Sequence, residues 1–191
     1  MVSRSQLLFL GLVGLVALER FFELALSRRN AARALARGAV EVGKRHFPAM
    51  VALHTLFLIA CAAEVAFLRR PFPGLLGYGA LALALLAQGL RYWAVFALGE
   101  RWNTRIIVFP GAPPVTGGPY RFVRHPNYLA VIAEVLFLPL VHGAILTAAV
   151  FSAANALLLA VRVRAEEAAL GEGWARAFEG APRFIPGGRR G

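Results

Sequence analysis

Cysteine is nearly missing from this chain: Cys61 stands alone, which leaves no partner for a disulfide and no cysteine-rich metal site. Charge is scarce as well. Only 16% of the 191 residues are charged and 59% are hydrophobic, against roughly 25% and 45–50% in ordinary soluble domains. Acidic residues are scarcest, 10 against 21 Lys plus Arg, for a formal net charge of +11. Nor does a strand lead through G-x-G-x-x-G into a helix, so the soluble type of nucleotide-cofactor fold is excluded. No internal repeat is visible. A small transporter or channel with Glu19, Glu23, Glu64 and Arg91 along its path should show inverted or parallel repeats. A cleavable leader is not expected either: the first apolar block outruns a typical leader core, and Glu19, Arg20 and Glu23 stand where a small-residue cleavage site is needed.

What the chain has instead is apolar sequence in blocks. Residues 7–26, 48–68 and 74–98 are each long enough for a bilayer span of about 20 residues. Residues 128–141 form a shorter block, joined through a tight turn at His142-Gly143 to residues 144–161. The expected fold is all-α: a polytopic integral membrane protein with about five transmembrane helices, ending in a helical hairpin. Too little polar surface remains to cover a buried soluble core of this size. The basic residues are distributed accordingly. Residues 27–47 hold six (Arg28, Arg29, Arg33, Arg37, Lys44, Arg45), residues 99–127 four (Arg101, Arg105, Arg121, Arg124) and the stretch from Arg162 onward six, so three segments hold 16 of the 21. With the N-terminus outside, all three face the cytoplasm, which is the positive-inside asymmetry. Arg69 and Arg70 are the exceptions. The lipid bilayer, of a bacterial inner membrane, is therefore the expected partner, and nucleic acid is not. No oligomeric state follows from these patterns.

The polar interruptions carry the chemistry. Glu19 and Glu23 share a helix face, and His54, Glu64, Gln88 and Arg91 break other apolar blocks; each taken singly reads as helix–helix pairing or snorkelling. Residues 109–119, "FPGAPPVTGGP", hold four Pro and three Gly and cannot be helical. Irregular backbone at membrane depth survives only against protein or a polar cavity. Then come Tyr120, Arg121, Arg124, His125, Pro126, Asn127 and Tyr128, followed by an apolar helix. Pro126 suits the first helical turn, and a helix N-terminus beside His125 attracts an anionic group.

Farther on, "VRVRAEEAAL" sets Arg162 and Glu166 four apart with Glu167 one position round. An i, i+4 ion pair is the plain expectation, worth about 0.2–0.5 kcal/mol. The alternative is a division of labour, with the carboxylate taking a hydroxyl or amine and the guanidinium an acidic acceptor group. "GWARAFEGAPRFIP" places Trp174 and Phe178 on one face of a short amphipathic helix, suited to the membrane interface.

In that order, "RWNTRIIVFPG", "GPYRFVRHPNY", an apolar hairpin, "RVRAEEAAL" and "PRFIP" resemble the isoprenylcysteine carboxyl methyltransferase family of integral-membrane enzymes. The likeness covers Trp102 to Pro186 and is nearest to a bacterial branch thought to methylate alkylpyrones or alkylresorcinols. The resemblance implies S-adenosyl-L-methionine as cofactor, enclosed by Pro113, Pro114, Val115, Tyr120, His125, Pro126, Asn127 and Tyr128, with Glu166 at its polar end. It implies that Arg162 contacts the methyl acceptor, a lipophilic small molecule. The family's eukaryotic members carry a His and a Thr near Ala112 and Pro113, and this chain does not. Trp102 and Asn103 are expected near the acceptor. Glu167 is the suspected base if the acceptor is a phenol, whose pKa of about 10 requires proton removal. The chain then reads as one domain over 1–191, with three spans in 1–98, a cofactor-binding and catalytic half in 99–186 and a tail at 187–191. Phospholipid N-methylation is the nearest enzymatic rival, and Arg162 favours an anionic or phenolic acceptor over an amine. A non-catalytic membrane scaffold is the remaining alternative.

Overall fold

A computed structural model describes residues 3–184. Five helices follow in order: α1 (Arg4–Ala36), α2 (His46–Phe67), α3 (Leu75–Leu98), α4 (Pro126–Leu140) and α5 (Ile145–Ala177). Three of them are long and apolar enough to cross a membrane: α2, α3 with its extension to Arg101, and α5. Helix α4 is a shorter apolar helix. Helix α1 carries Glu19, Arg20, Glu23 and a basic final third. Large apolar side chains point outward along the bundle, with Leu75 88% and Phe96 80% exposed. A water-facing helix would present polar residues there, so these faces suit lipid.

The ends of the helices are set locally. Ser3 caps α1 in a reciprocal box with Gln6, and Gln6 also donates through Nε2 to the Val65 carbonyl at 3.1 Å. The α4–α5 hairpin turns at His142-Gly143 as expected, with Gly143 at φ 69°, a backbone conformation that a side chain would strain. Glu64 accounts for its own burial. Its carboxylate accepts from the Thr147 N–H at 2.7 Å, the Thr147 hydroxyl at 2.8 Å and Arg70 Nε at 3.0 Å, so it caps the positive N-terminus of α5.

Helix α3 packs most extensively on α4, α4 on α5, and α2 on α5. Phe9, Val13, Phe57, Cys61, Val131 and Val135 form the core at one end. At the other end the chain departs from purely helical structure. Strands β1 (Val40–Val42) and β2 (Ile106–Val108) pair antiparallel, with Glu41 opposite Ile107. Each strand is three residues long, too short for alternation to be visible in sequence. The expected short amphipathic helix is the last part of α5, set off by a kink at Gly171. Ile185 and Pro186 of the "PRFIP" motif, and the tail at 187–191, lie outside the described residues.

Candidate functional site

The β1–β2 end of the bundle is fastened to α1 by side chains. Asn103 Nδ2 donates to the Ser27 carbonyl at 3.0 Å, and Ser27 Oγ lies 2.7 Å from both Asn103 Oδ1 and Thr104 Oγ1. Asn30 Nδ2 donates to the Trp102 carbonyl at 2.9 Å. Residues 102–104 are thereby held between α1 and α5, where Arg162 Nη2 donates to the Thr104 carbonyl at 2.8 Å. The proline-rich loop is anchored at one point by Arg101 Nη1, which donates to the Pro113 carbonyl at 2.7 Å.

The facing wall starts at the head of α4. Pro126 occupies the first helical position and His125 the cap. The backbone N–H groups of Arg124 and His125 donate to the carbonyls of Pro182 (2.9 Å) and Arg183 (3.1 Å), and Arg124 Nε donates to the Ala181 carbonyl at 2.6 Å. The segment after α5 is thus strapped across the start of α4. The His125 ring lies 5.5 Å from both the Tyr128 and Trp174 rings and 6.2 Å from Phe184, making an aromatic wall. Burial, with the Glu166 charge adding to it, pushes the Tyr120 phenol well above its ordinary value, so Tyr120 stays a neutral hydroxyl.

Arg162 and Glu166 do not pair with each other. Glu166 accepts from the Tyr128 hydroxyl, and Arg162 turns to Thr104 with its guanidinium 6.0 Å from the Tyr128 ring centroid. Glu167 is held elsewhere: His125 Nε2 lies 3.0 Å from Oε1, and Arg183 donates to both carboxylate oxygens at 3.0 and 2.6 Å. The Glu167 carboxylate in turn raises the Arg183 guanidinium above its ordinary value.

A cavity of about 680 Å³ opens between these walls. Trp102, Asn103, Pro113, Pro114 and Val115 line one side. Tyr120, His125, Asn127, Tyr128, Arg162 and Glu166 line the other. The structure therefore gathers eleven of the thirteen residues expected at the site around one space. Pro126 and Glu167 are not on its wall. Pro126 is fully buried in the α4 packing, and Glu167 faces the strap. Wall residues that sequence reasoning did not assign to the site include Thr104, Arg124, Asn155 and Trp174, with Arg20, Glu23, His54 and Arg91 at the far end. Asn155 stands in an apolar run with Thr147 and Ser152, and nothing in the sequence marks it as a wall residue.

Several buried polar atoms on this wall have no hydrogen-bond partner among the described residues: Trp102 Nε1, Asn127 Oδ1, Asn155 Oδ1 and Arg162 Nε, with Arg20 Nε and Arg91 Nη1 at the far end. Buried polar atoms are normally satisfied, so six orphans around one cavity fit a polar ligand. With Glu166, the aromatic rings and the loop carbonyls, the donor set suits a molecule that bears cationic, anionic and aromatic parts together.

The family model described as "Isoprenylcysteine carboxyl methyltransferase (ICMT) family" matches residues 80–172. A protein named "Uncharacterized protein YpbQ" from Bacillus subtilis (strain 168) is 41% identical over 161 residues, covering 84% of this chain and 95% of that protein. A second relative, an "Uncharacterized protein" from Haemophilus influenzae (strain ATCC 51907 / DSM 11121 / KW20 / Rd), is 32% identical over 152 residues. That match covers 79% of this chain and 88% of the relative.

Proposed function

The chain belongs to the isoprenylcysteine carboxyl methyltransferase family, and from that premise we propose that it methylates an oxygen of a lipophilic acceptor, with S-adenosyl-L-methionine as the methyl donor. The observation that carries this is one continuous cavity whose loop end is polar and aromatic and whose body is lined by α1, α2 and α5. When bound, the cofactor supplies an electrophilic methyl group on a sulfonium. Glu166 holds its charged amine end, and the orphaned Asn127 and Trp102 side chains meet its remaining polar atoms. The rings of Tyr120, Tyr128 and Trp174 provide faces that accommodate a cation. The protein's main contribution is positioning, which removes the entropic part of the barrier.

Arg162, held by Thr104, presents its free Nε to the acceptor. Branched assignments follow from that chemistry. A carboxylate such as that of a prenylcysteine arrives ionised and needs only orientation, whereas an alkylresorcinol or alkylpyrone hydroxyl also needs its proton taken. In either case the acceptor is apolar over most of its length and reaches the cavity from the bilayer. Helices α1 and α4 then lie in the membrane with α2, α3 and α5, giving five spans. The end carrying the sheet and the basic residues faces the cytoplasm, where the water-soluble cofactor is found.

Calorimetric titration of the purified protein in detergent with S-adenosyl-L-methionine tests the cofactor assignment. Binding to the wild type, lost in Glu166→Ala and weakened in His125→Ala while both variants remain folded, is the expected result. No binding to the wild type would leave a non-catalytic scaffold as the better reading.

A further inference from the structure

The paired carboxylates of α5 have separate partners. Glu166 lines the cavity and accepts from the Tyr128 hydroxyl. Glu167, about 100° round the helix, turns off the cavity wall to His125, whose Nε2 lies 3.0 Å from its Oε1. His125 caps α4 while Glu167 sits in the body of α5, so only the fold brings the two together.

His125 is pinned from several sides. Its backbone N–H donates to the Arg183 carbonyl at 3.1 Å, and the rings of Tyr128, Trp174 and Phe184 stand 5.5, 5.5 and 6.2 Å from its own. The residue is 5% exposed. A carboxylate only accepts, so Nε2 carries the proton of its bond to Glu167. The two nitrogens of an imidazole point in widely different directions. With Nε2 turned out to Glu167, Nδ1 turns inward, to the cavity that His125 lines. Nδ1 has no hydrogen-bond partner among the described residues, and in the neutral ring it bears a lone pair that accepts. The charge of Glu167 is already met by Arg183, which donates to both oxygens at 3.0 and 2.6 Å. The carboxylate therefore does not call for a second cation in the ring.

This nitrogen stands at the cofactor end of the site. The Tyr128 ring that packs on His125 carries the hydroxyl bonded to Glu166, and the Arg162 guanidinium lies 6.0 Å from the same ring. We propose that Glu167 is a positioning residue for cofactor binding: it fixes His125 as the Nε2–H tautomer, so that Nδ1 accepts from an N–H or O–H of the cofactor. The inference rests on the methyltransferase reading above and deepens it, giving the second carboxylate of the pair a task distinct from that of Glu166. A carboxylate engaged in this way, off the cavity wall, takes no proton from the acceptor.

The first readout needs neither a variant nor an acceptor. The chain has four histidines, so nitrogen-15 spectra of histidine-labelled protein in detergent are simple, and the His125 signals are those lost in His125→Leu. At about pH 8, where an imidazole is neutral, His125 should show a protonated Nε2 and a bare Nδ1. Adding S-adenosyl-L-methionine should move Nδ1 toward the position of a hydrogen-bonded acceptor. Glu167→Leu should give mixed tautomers and bind the cofactor about tenfold more weakly in calorimetry, the upper end for one neutral hydrogen bond. Glu167→Gln keeps an oxygen for Nε2–H while losing the charge that holds Arg183, so tautomer and affinity should stay close to wild type. His125→Leu/Glu167→Leu should bind no more weakly than His125→Leu, because Glu167 acts through the ring. An Nδ1–H tautomer or a doubly protonated ring in the wild type would overturn the proposal, as would unchanged affinity in Glu167→Leu. Equal damage in Glu167→Gln and Glu167→Leu would overturn it too, leaving Glu167 as an anchor for the strap alone. Failure of the methyltransferase reading would show differently, as absence of cofactor binding by the wild type, and the tautomer in the free protein would still decide what Glu167 does to His125.

Discussion

Replacing Arg91 by leucine should destabilise the protein by an amount that the structure sets. Arg91 is 6% exposed and contacts Glu23 through two donors, Nε to Oε1 at 2.5 Å and Nη2 to Oε2 at 2.6 Å. Breaking a buried pair by removing one partner costs about 3–5 kcal/mol, because the remaining charge stays desolvated. Glu23 keeps the Arg20 Nη1 donor at 2.6 Å, so the cost should fall at the low end, about 3 kcal/mol. Removing both charges is a different perturbation. In Arg91→Leu/Glu23→Leu nothing is left unpaired in that pair, and Arg20 retains Glu19 and Glu134. Apolar replacement of a whole buried pair is often neutral, so the double variant should return to within about 1 kcal/mol of wild type. Reversible unfolding in mixed detergent–SDS micelles, followed by tryptophan fluorescence, gives the full double-mutant cycle. An Arg91→Leu cost below about 1 kcal/mol, or a double variant no better than the single, would refute the assignment of a tightly coupled buried network.

Three further substitutions probe other parts of the structure. Gly171→Ala, at φ 73° and ψ −170° inside α5, enters a region open almost only to glycine and should cost about 1–3 kcal/mol; because the kink sets Trp174 against His125, cofactor affinity should fall several-fold in calorimetry. Asn103→Ala removes the bond to the Ser27 carbonyl and the acceptor for the Ser27 hydroxyl, and the micelle-unfolding assay should register about 1–3 kcal/mol. Glu166→Gln leaves a neutral acceptor for the Tyr128 hydroxyl but removes the charge, so it should weaken cofactor binding at least tenfold while the unfolding midpoint moves little; a destabilised variant with unchanged cofactor affinity would contradict the role given to Glu166.

Much of this architecture is legible in the sequence for a simple reason. In a chain this apolar, any polar cluster stands out, and Trp102 to Tyr128 with Arg162 and Glu166 is the densest one. The helical hairpin at His142-Gly143 was legible from block length and a turn glycine. Rotation about a helix axis was not. Glu166 and Glu167 differ by about 100°, and sequence spacing alone does not say which of the two faces the cavity. Pro126 was placed at the right turn, but the same helix rotation buries its ring. The strands β1 and β2 carry too few residues for a pattern. Glu19, Glu23, Gln88 and Arg91 each looked like an ordinary pairing residue, and each does pair. What sequence could not give is that they converge on one network, because convergence depends on the registers of α1, α3 and α4. His54 and Asn155 share that difficulty: a single polar residue in an apolar helix has no partner until the helices are aligned.

The most direct test of the central claim is transfer of labelled methyl from S-adenosyl-L-methionine to lipid-soluble acceptors by the purified protein. The set comprises 5-pentadecylresorcinol, a long-chain 4-hydroxy-2-pyrone, a prenylcysteine analogue and phosphatidylethanolamine. Label should appear in at least one of the oxygen acceptors, the resorcinol, the pyrone or the prenylcysteine analogue, and be lost in Glu166→Ala and Arg162→Ala. Label confined to phosphatidylethanolamine would contradict oxygen methylation, and cofactor bound with label in none of the four would contradict the acceptor class proposed here.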